Sequence, residues 1–386
     1  MPITAEAWFI HAGDGSTPPT RAELRREKLE IPDLEGDEVL VEPLYGCWEA
    51  NMSHALHRKP VDICRMRGEP RVVVGNGSIV RVLKSADGAS TLKPGDLAVV
   101  TGLVQTDRWG YPIKLFGYDA PQTVGCLAKR FKAREGWLFK IPSDTRHRLA
   151  QWAAFPVRYI SAWANWQVAY GAYRLLVHED EMPVLNVWGW GGGTTFAELD
   201  LARRHGHRAV MMSGHAQRLE QIRTAGMIPL DRREFGSLDF YERDIKQKDR
   251  ASLDAYKANE KSFLTQVKEL TRGDGVQIFV DMIGEPVQRV TLKALGRQGI
   301  ITTAGWKQGM NLRLVRASAC INRHQFIHTH FARHRQVEQA VAYAEASDWM
   351  PPISDRIYEY DEIPQLAADY DAGELGMFTC FRINPE

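Results

Sequence analysis

The sequence has few cysteines, no long apolar run and almost no net charge, and each shortage excludes something. Its five cysteines, Cys47, Cys64, Cys126, Cys320 and Cys380, are an odd number. They lie far apart, with no C-x-x-C pair, so neither a disulfide framework nor a structural zinc knuckle is expected, and they read as reduced thiols. No apolar stretch approaches the roughly 18 residues of a membrane span, and Met1 to Ile10 shows no basic start followed by an apolar block. A soluble, cytoplasmic chain is expected. The 49 basic and 48 acidic residues cancel to a formal charge of +1. Nothing in that balance suits nucleic acid or an anionic membrane, and a small partner fits better.

What is present is length and alternating pattern. A chain of 386 residues exceeds what one core usually organises, so two domains are expected, with a cleft for a ligand. From Glu38 to about Val100, short β-prone runs (Val39-Leu-Val-Glu-Pro, Arg71-Val-Val-Val-Gly, Ser78-Ile-Val-Arg-Val-Leu, Asp96-Leu-Ala-Val-Val) are separated by Gly, Pro and Asp turns, Lys93-Pro-Gly-Asp96 among them. Near Arg148 the spacing turns helical. Between Val184 and Thr303 buried-strand runs alternate with helices, as a parallel doubly wound sheet requires. The charged stretch from Phe240 to Lys268 reads as a helical insertion at the surface. The segments Ile357-Tyr-Glu-Tyr and Met377-Phe-Thr-Cys-Phe read as a return to the first domain.

Chemistry concentrates at Trp188-Gly189-Trp190-Gly191-Gly192-Gly193-Thr194-Thr195, between the first strand of that sheet and a helix. Glycines there let the backbone approach a diphosphate, and the free N–H groups of the helix start bind its charge. Gly189, Gly191, Gly192, Gly193, Thr194 and Thr195 are therefore the expected cofactor loop, with Thr195 standing where the usual pattern ends in glycine. The next strand runs into Ser213-Gly-His215-Ala-Gln-Arg218 with no Asp or Glu to hold a ribose diol. Ser213, His215 and Arg218 suit a 2′-phosphate instead, so NADPH rather than NADH is expected.

Together, the strand-rich first half, Lys93-Pro-Gly-Asp96, the glycine turn and the return to the first domain resemble the medium-chain dehydrogenase/reductase superfamily, over nearly the whole chain. The resemblance implies an α/β fold: a GroES-like catalytic domain, 1–155 completed by 321–386, and an NADP(H)-binding Rossmann domain, 156–320. In the superfamily's zinc alcohol dehydrogenases a Cys, a His-Glu pair and a later Cys or Asp hold zinc. Cys47 resembles the first ligand, but the pair reads Asn76-Gly77, which cannot replace an imidazole and a carboxylate, so no metal is expected.

Within the zinc-free branch the charged insertion before Leu270-Thr-Arg-Gly-Asp-Gly, and the run from Ile301 to His330-Phe-Ala, resemble crotonyl-CoA carboxylase/reductases and related enoyl-thioester reductases. In those carboxylases an Asn, a Phe-Glu pair and the His of His-Phe-Ala surround carbon dioxide. The pair corresponds here to Tyr118-Asp119 and the His to His330. The Asn falls at Trp48, with Asn51 a few residues too late. A tryptophan cannot supply the missing amide hydrogen bond, so reduction without carboxylation is expected.

The resemblance thus implies NADPH-dependent reduction of an enoyl thioester carried on CoA or acyl carrier protein. Asp119 and His330 would position water or relay a proton, Tyr118 would wall the pocket, and Trp48 and Trp306 would narrow it. A homodimer or homotetramer pairing near Met310 to Leu314 is also implied. A quinone or enone reductase on the same scaffold, and a catalytically silent NADPH-binding protein, remain open readings at the level of sequence.

Overall fold

A computed structural model of the chain describes residues 3–241, 249–305, 312 and 315–386. The chain divides into two compact units, 1–160 with 332–386, and 161–331.

In the first unit short β-prone runs between turns form antiparallel strands, some with alternating burial and others, such as the third, buried nearly throughout. These are β1 (Ile3–His11), β2 (Arg25–Ile31), β3 (Glu38–Cys47), β4 (Arg71–Val72), β5 (Ser78–Ser85), β6 (Leu97–Val100), β7 (Leu103–Thr106), β8 (Pro112–Leu115), β9 (Phe131–Arg134) and β10 (Leu138–Lys140). Two short helices, α1 (Ala50–His57) and α2 (Ile63–Arg67), follow β3, and α3 (Leu149–Phe155) leads into a π-helical turn, Pro156–Ile160. The turn Lys93-Pro-Gly-Asp96 joins β5 to β6: the Asp96 carboxylate accepts the Lys93 N–H at 2.9 Å.

The second unit starts with α4 (Ser161–Arg174) and alternates thereafter: β11 (Asn186–Trp190), α5 (Gly193–Arg204), β12 (Arg208–Ser213), α6 (Ala216–Thr224), β13 (Ile228–Asp231), α7 (Arg250–Leu270), β14 (Val276–Asp281), α8 (Glu285–Ala294), β15 (Leu295–Thr303), α9 (Arg316–Asn322) and β16 (Gln325–His328). The order across the sheet is β13-β12-β11-β14-β15-β16, and every pairing is parallel. β11 and β14 are buried at every position, as strands covered on both faces must be. The sheet order reverses between β11 and β14, the point at which doubly wound sheets open a crevice at their carboxyl ends. The charged insertion supplies α7; 242–248, its first part, lie outside the described residues.

The chain returns to the first unit at Ala332, later than the 321 expected from sequence, because β16 adds to the parallel sheet beside β15. The first unit is then completed by α10 (His334–Ser347), β17 (Tyr358–Glu359), α11 (Ile363–Ala372) and β18 (Cys380–Arg382). β18 pairs antiparallel with β3, placing Cys380 opposite Cys47. The fold is α/β, a GroES-like β-rich unit and a Rossmann unit. Among the described residues no helix is long and apolar enough to cross a membrane. Trp306, together with 310, 311, 313 and 314 of the expected pairing segment, lies outside the described residues.

Candidate functional site

The glycine turn joins the end of β11 to the start of α5 and so gathers Gly189, Gly191, Gly192, Gly193, Thr194 and Thr195 at the carboxyl edge of the sheet. Gly191 has φ of 151°, and a Cβ on it would lie 2.2 Å from Thr195 Oγ1. Gly192 is the N-cap of α5, which no side chain caps, and a Cβ on it would meet nothing within 4 Å. The result is a helix start without a side-chain cap at its N-cap position, beside open space. That combination suits a diphosphate.

Counted from Gly189 and Gly191, the last position of a G-x-G-x-x-G pattern is Thr194 rather than Thr195, and Thr195 belongs to the packing of the helix start against the strand. It is fully buried, its Oγ1 donates to the Trp190 carbonyl at 3.4 Å, and its methyl lies 2.7 Å from where a Cβ of Gly189 would be.

At the end of β12, Ser213 is buried and its hydroxyl accepts the His215 N–H at 3.2 Å. His215 is the exposed N-cap of α6, and Arg218 sits in that helix's first turn. The acid at the end of the neighbouring strand, Asp231, is held by Arg233, Nη2 to Oδ2 at 2.5 Å, which keeps its carboxyl below the usual range. Between them stands a cation that the sequence reading passed over. Arg232 is exposed, and its Nε lies 3.0 Å from where a Cβ on Gly214 would stand. The signal was the paired arginine after the third strand, Asp231-Arg232-Arg233.

In the first unit Cys47 is buried at the end of β3, where Arg158, reaching in from the π-helical turn, surrounds itself with acceptors. Its guanidinium donates to Cys47 Sγ at 3.0 Å, to Glu49 Oε1 at 2.6 Å and to the Trp48 carbonyl at 2.6 Å. Burial pushes the Glu49 carboxyl up while the facing guanidinium pulls it down. Gly77 adjoins this group through its carbonyl, which accepts the Cys47 N–H at 3.3 Å, and carries no side chain toward it. The donor set does not fit zinc: a fixed cation already engages the thiol and the carboxylate, and Asn76-Gly77 offers no imidazole. Among the described residues no group of three His, Cys, Asp or Glu could hold a metal ion.

The remaining candidates spread over both units. Trp48 is 1% exposed within the hydrophobic core of the first unit, packed with Met52, Cys126 and Phe381, so its ring is core there rather than a solvent-facing wall. Asn51 is half-buried in the first turn of α1. Tyr118 is half-buried, and burial with Asp119 beside it pushes its hydroxyl up to about 12, so it stays protonated. Asp119 closes its own turn: Oδ1 accepts the Leu115 N–H at 2.6 Å, and Lys114 lies 3.9 Å from Oδ2. Arg67 clamps this loop from beneath, donating to the carbonyls of Tyr118 at 3.3 Å and Thr123 at 2.8 Å. His330, in the second unit, follows β16 and is exposed, and Phe331 after it holds a left-handed φ of 57°.

No protein-family model matches the chain, and no curated protein sequence matches it. Solved structures do. The 2-octenoyl-CoA carboxylase reductase CinF, in complex with NADP and 2-octenoyl-CoA, aligns with a TM-score of 0.80 at 18% identity, over 100% of this chain and 89% of that one. The crotonyl-CoA carboxylase/reductase AntE with NADP aligns at 0.79 and 19% identity, over 99% and 96%. An alcohol dehydrogenase from Aeropyrum pernix aligns at 0.74 and 20% identity, over 98% and 99%. The chain shares the fold of these carboxylase/reductases and of this alcohol dehydrogenase.

Proposed function

We propose that the protein reduces the C=C bond of an α,β-unsaturated acyl thioester with NADPH, without carboxylation. The observation that carries the reading is the uncapped turn Gly191–Thr195 at the carboxyl edge of a parallel sheet. The carboxylase/reductases of the same fold, with NADP or an enoyl-CoA bound, support the choice of cofactor and substrate.

The N–H groups around Gly192 and Gly193 would hold the diphosphate, and Ser213, His215, Arg218 and Arg232 the 2′-phosphate. Bound there, NADPH would supply hydride to the β-carbon, the electron pair of the double bond passing to the thioester oxygen as an enolate. The chain must then bring a proton to the α-carbon. Asp119 and His330 are the groups proposed to orient the water that delivers it, and Tyr118, protonated throughout the working range, is a pocket wall.

Arg232→Ala is expected to raise KM for NADPH by about tenfold or more, the worth of one charge-assisted hydrogen bond, and to leave KM for NADH unchanged. Equal effects on both cofactors would remove Arg232 from the 2′-phosphate site. Asp119→Asn and His330→Ala are expected to lower kcat by about 100-fold with NADPH affinity intact, as loss of a proton-transfer group does. Parallel losses of binding and turnover would instead mark them as structural. The reading itself is tested by following NADPH oxidation with crotonyl-CoA, longer enoyl thioesters and a quinone, each with and without bicarbonate. Turnover with thioesters alone, indifferent to bicarbonate, is expected. Turnover with quinone alone overturns the thioester, and a bicarbonate-dependent malonyl product overturns the statement on carboxylation.

A further inference from the structure

Four polar side chains of the second unit, three of them fully buried, meet in one network, and the role of the glycine turn does not account for them. The amide nitrogen of Asn165, on α4, donates to Glu198 Oε2, on α5, at 2.8 Å. Its amide oxygen accepts the hydroxyls of Thr302 and Thr329, each at 2.8 Å. Asn165, Glu198 and Thr302 are all 0% exposed. Thr302 is the penultimate residue of β15, while Thr329 follows β16 directly and precedes His330. The Thr329 N–H donates to the Thr303 carbonyl at 3.0 Å, tying the two strand ends to each other as well.

Burying three of these polar groups costs free energy that apolar residues of the same size would not, and such networks recur where a unique geometry matters. Here the geometry fixed is that of two strand ends at the carboxyl edge of the sheet, where ligands of doubly wound folds sit.

We propose that Asn165 is a positioning residue for the cofactor crevice: oriented by Glu198, its amide sets where the carboxyl ends of β15 and β16, and with them Thr303 and His330, stand. This rests on the reading of the glycine turn as a dinucleotide site. The charge around Glu198 agrees with it. Burial pushes its carboxyl up to about 8, opposed only by the Asn165 hydrogen bond. No cation faces it. On α5 itself Asp200 is held by Arg203 and Arg204. Of the elements packed against α5, β11 has no charged residue, β12 has Arg208 alone, β14 has Asp281 alone, and α4 has Arg174, which donates to the His178 and Met182 carbonyls. Oε1 of Glu198 has no hydrogen-bond partner among the described residues, which a neutral acid tolerates better than a carboxylate. Because the folded value lies above the ordinary one of 4.5, this group's contribution is full below 4.5 and lost as pH rises through about 8.

The test measures amide-exchange protection at 302–303 and 329–330, and NADPH affinity, from mildly acidic to mildly alkaline pH. In the wild type both should fall as pH rises through about 8, the affinity by about tenfold. Glu198→Gln, which keeps the acceptor but cannot ionise, should flatten both profiles, and Asn165→Ala should show the weakened state at every pH. Should Asn165→Ala fail to fold, Thr329→Val, at a half-buried position, should lower protection at 329–330 alone. A Glu198→Gln profile identical to wild type, or full protection in the Asn165→Ala and Thr329→Val proteins, overturns the proposal. If NADPH fails to bind while exchange behaves as stated, the cofactor reading falls and the positioning of the strand ends stands.

Discussion

Arg158→Met is expected to lower the free energy of unfolding by about 3–5 kcal/mol, the usual cost of stranding one member of a buried ion pair. Glu49 and Arg158 are 4% and 6% exposed, and the guanidinium also satisfies a thiol and a backbone carbonyl, so its removal leaves three acceptors in the core without their donor. The deficit should shrink as pH falls below neutral, because burial already raises the Glu49 carboxyl and losing the cation raises it further. A protonated Glu49 no longer carries a stranded charge. The double variant Arg158→Met with Glu49→Gln should recover much of the loss, since replacing both partners of a buried pair is often close to neutral. Urea midpoints of the three proteins decide the matter. A single variant within about 0.5 kcal/mol of wild type, the range of an ordinary surface change, would show that the pair is not buried as described.

Gly191→Ala is expected to reduce NADPH affinity by at least about 100-fold and to destabilise the chain by about 1–3 kcal/mol, the range for a residue held in an unsuitable backbone region. The added methyl would fall 2.2 Å from Thr195 Oγ1 and 2.9 Å from Met282 Cβ, so α5 cannot begin where it now does. Gly192→Ala supplies the contrast. Nothing lies within 4 Å of its added methyl, so melting should change little while the methyl obstructs a diphosphate and weakens binding. If both substitutions spared NADPH binding, the turn would be only a strand-to-helix connection.

Much of this was legible in the sequence, for a local reason. A glycine turn between a buried strand and a helix, and a sheet strand buried along its whole length, are properties of a few consecutive residues; β11 and β14 were readable for that reason. The return of the chain was harder to place, because β16 is a four-residue edge strand at intermediate burial, Gln-Phe-Ile-His, without an apolar pattern. Arg158 and its partners are 109–111 positions apart, so no spacing announces them. Glu198 and Asn165 look like ordinary surface polar residues of amphipathic helices until packing puts both inside. Trp48 shows the converse: its place in the sequence does not reveal which way its ring faces, and the ring lies in the core of the first unit.

Transfer of label from 4-deuterated NADPH to crotonyl-CoA, read by mass spectrometry of the acyl product, tests the central claim most directly. The expected product is butyryl-CoA carrying one deuterium at its β-carbon, formed equally with and without a zinc chelator. Recovery of unreduced, unlabelled crotonyl-CoA, while the same protein oxidises NADPH with a quinone or with no acceptor tried, would contradict it.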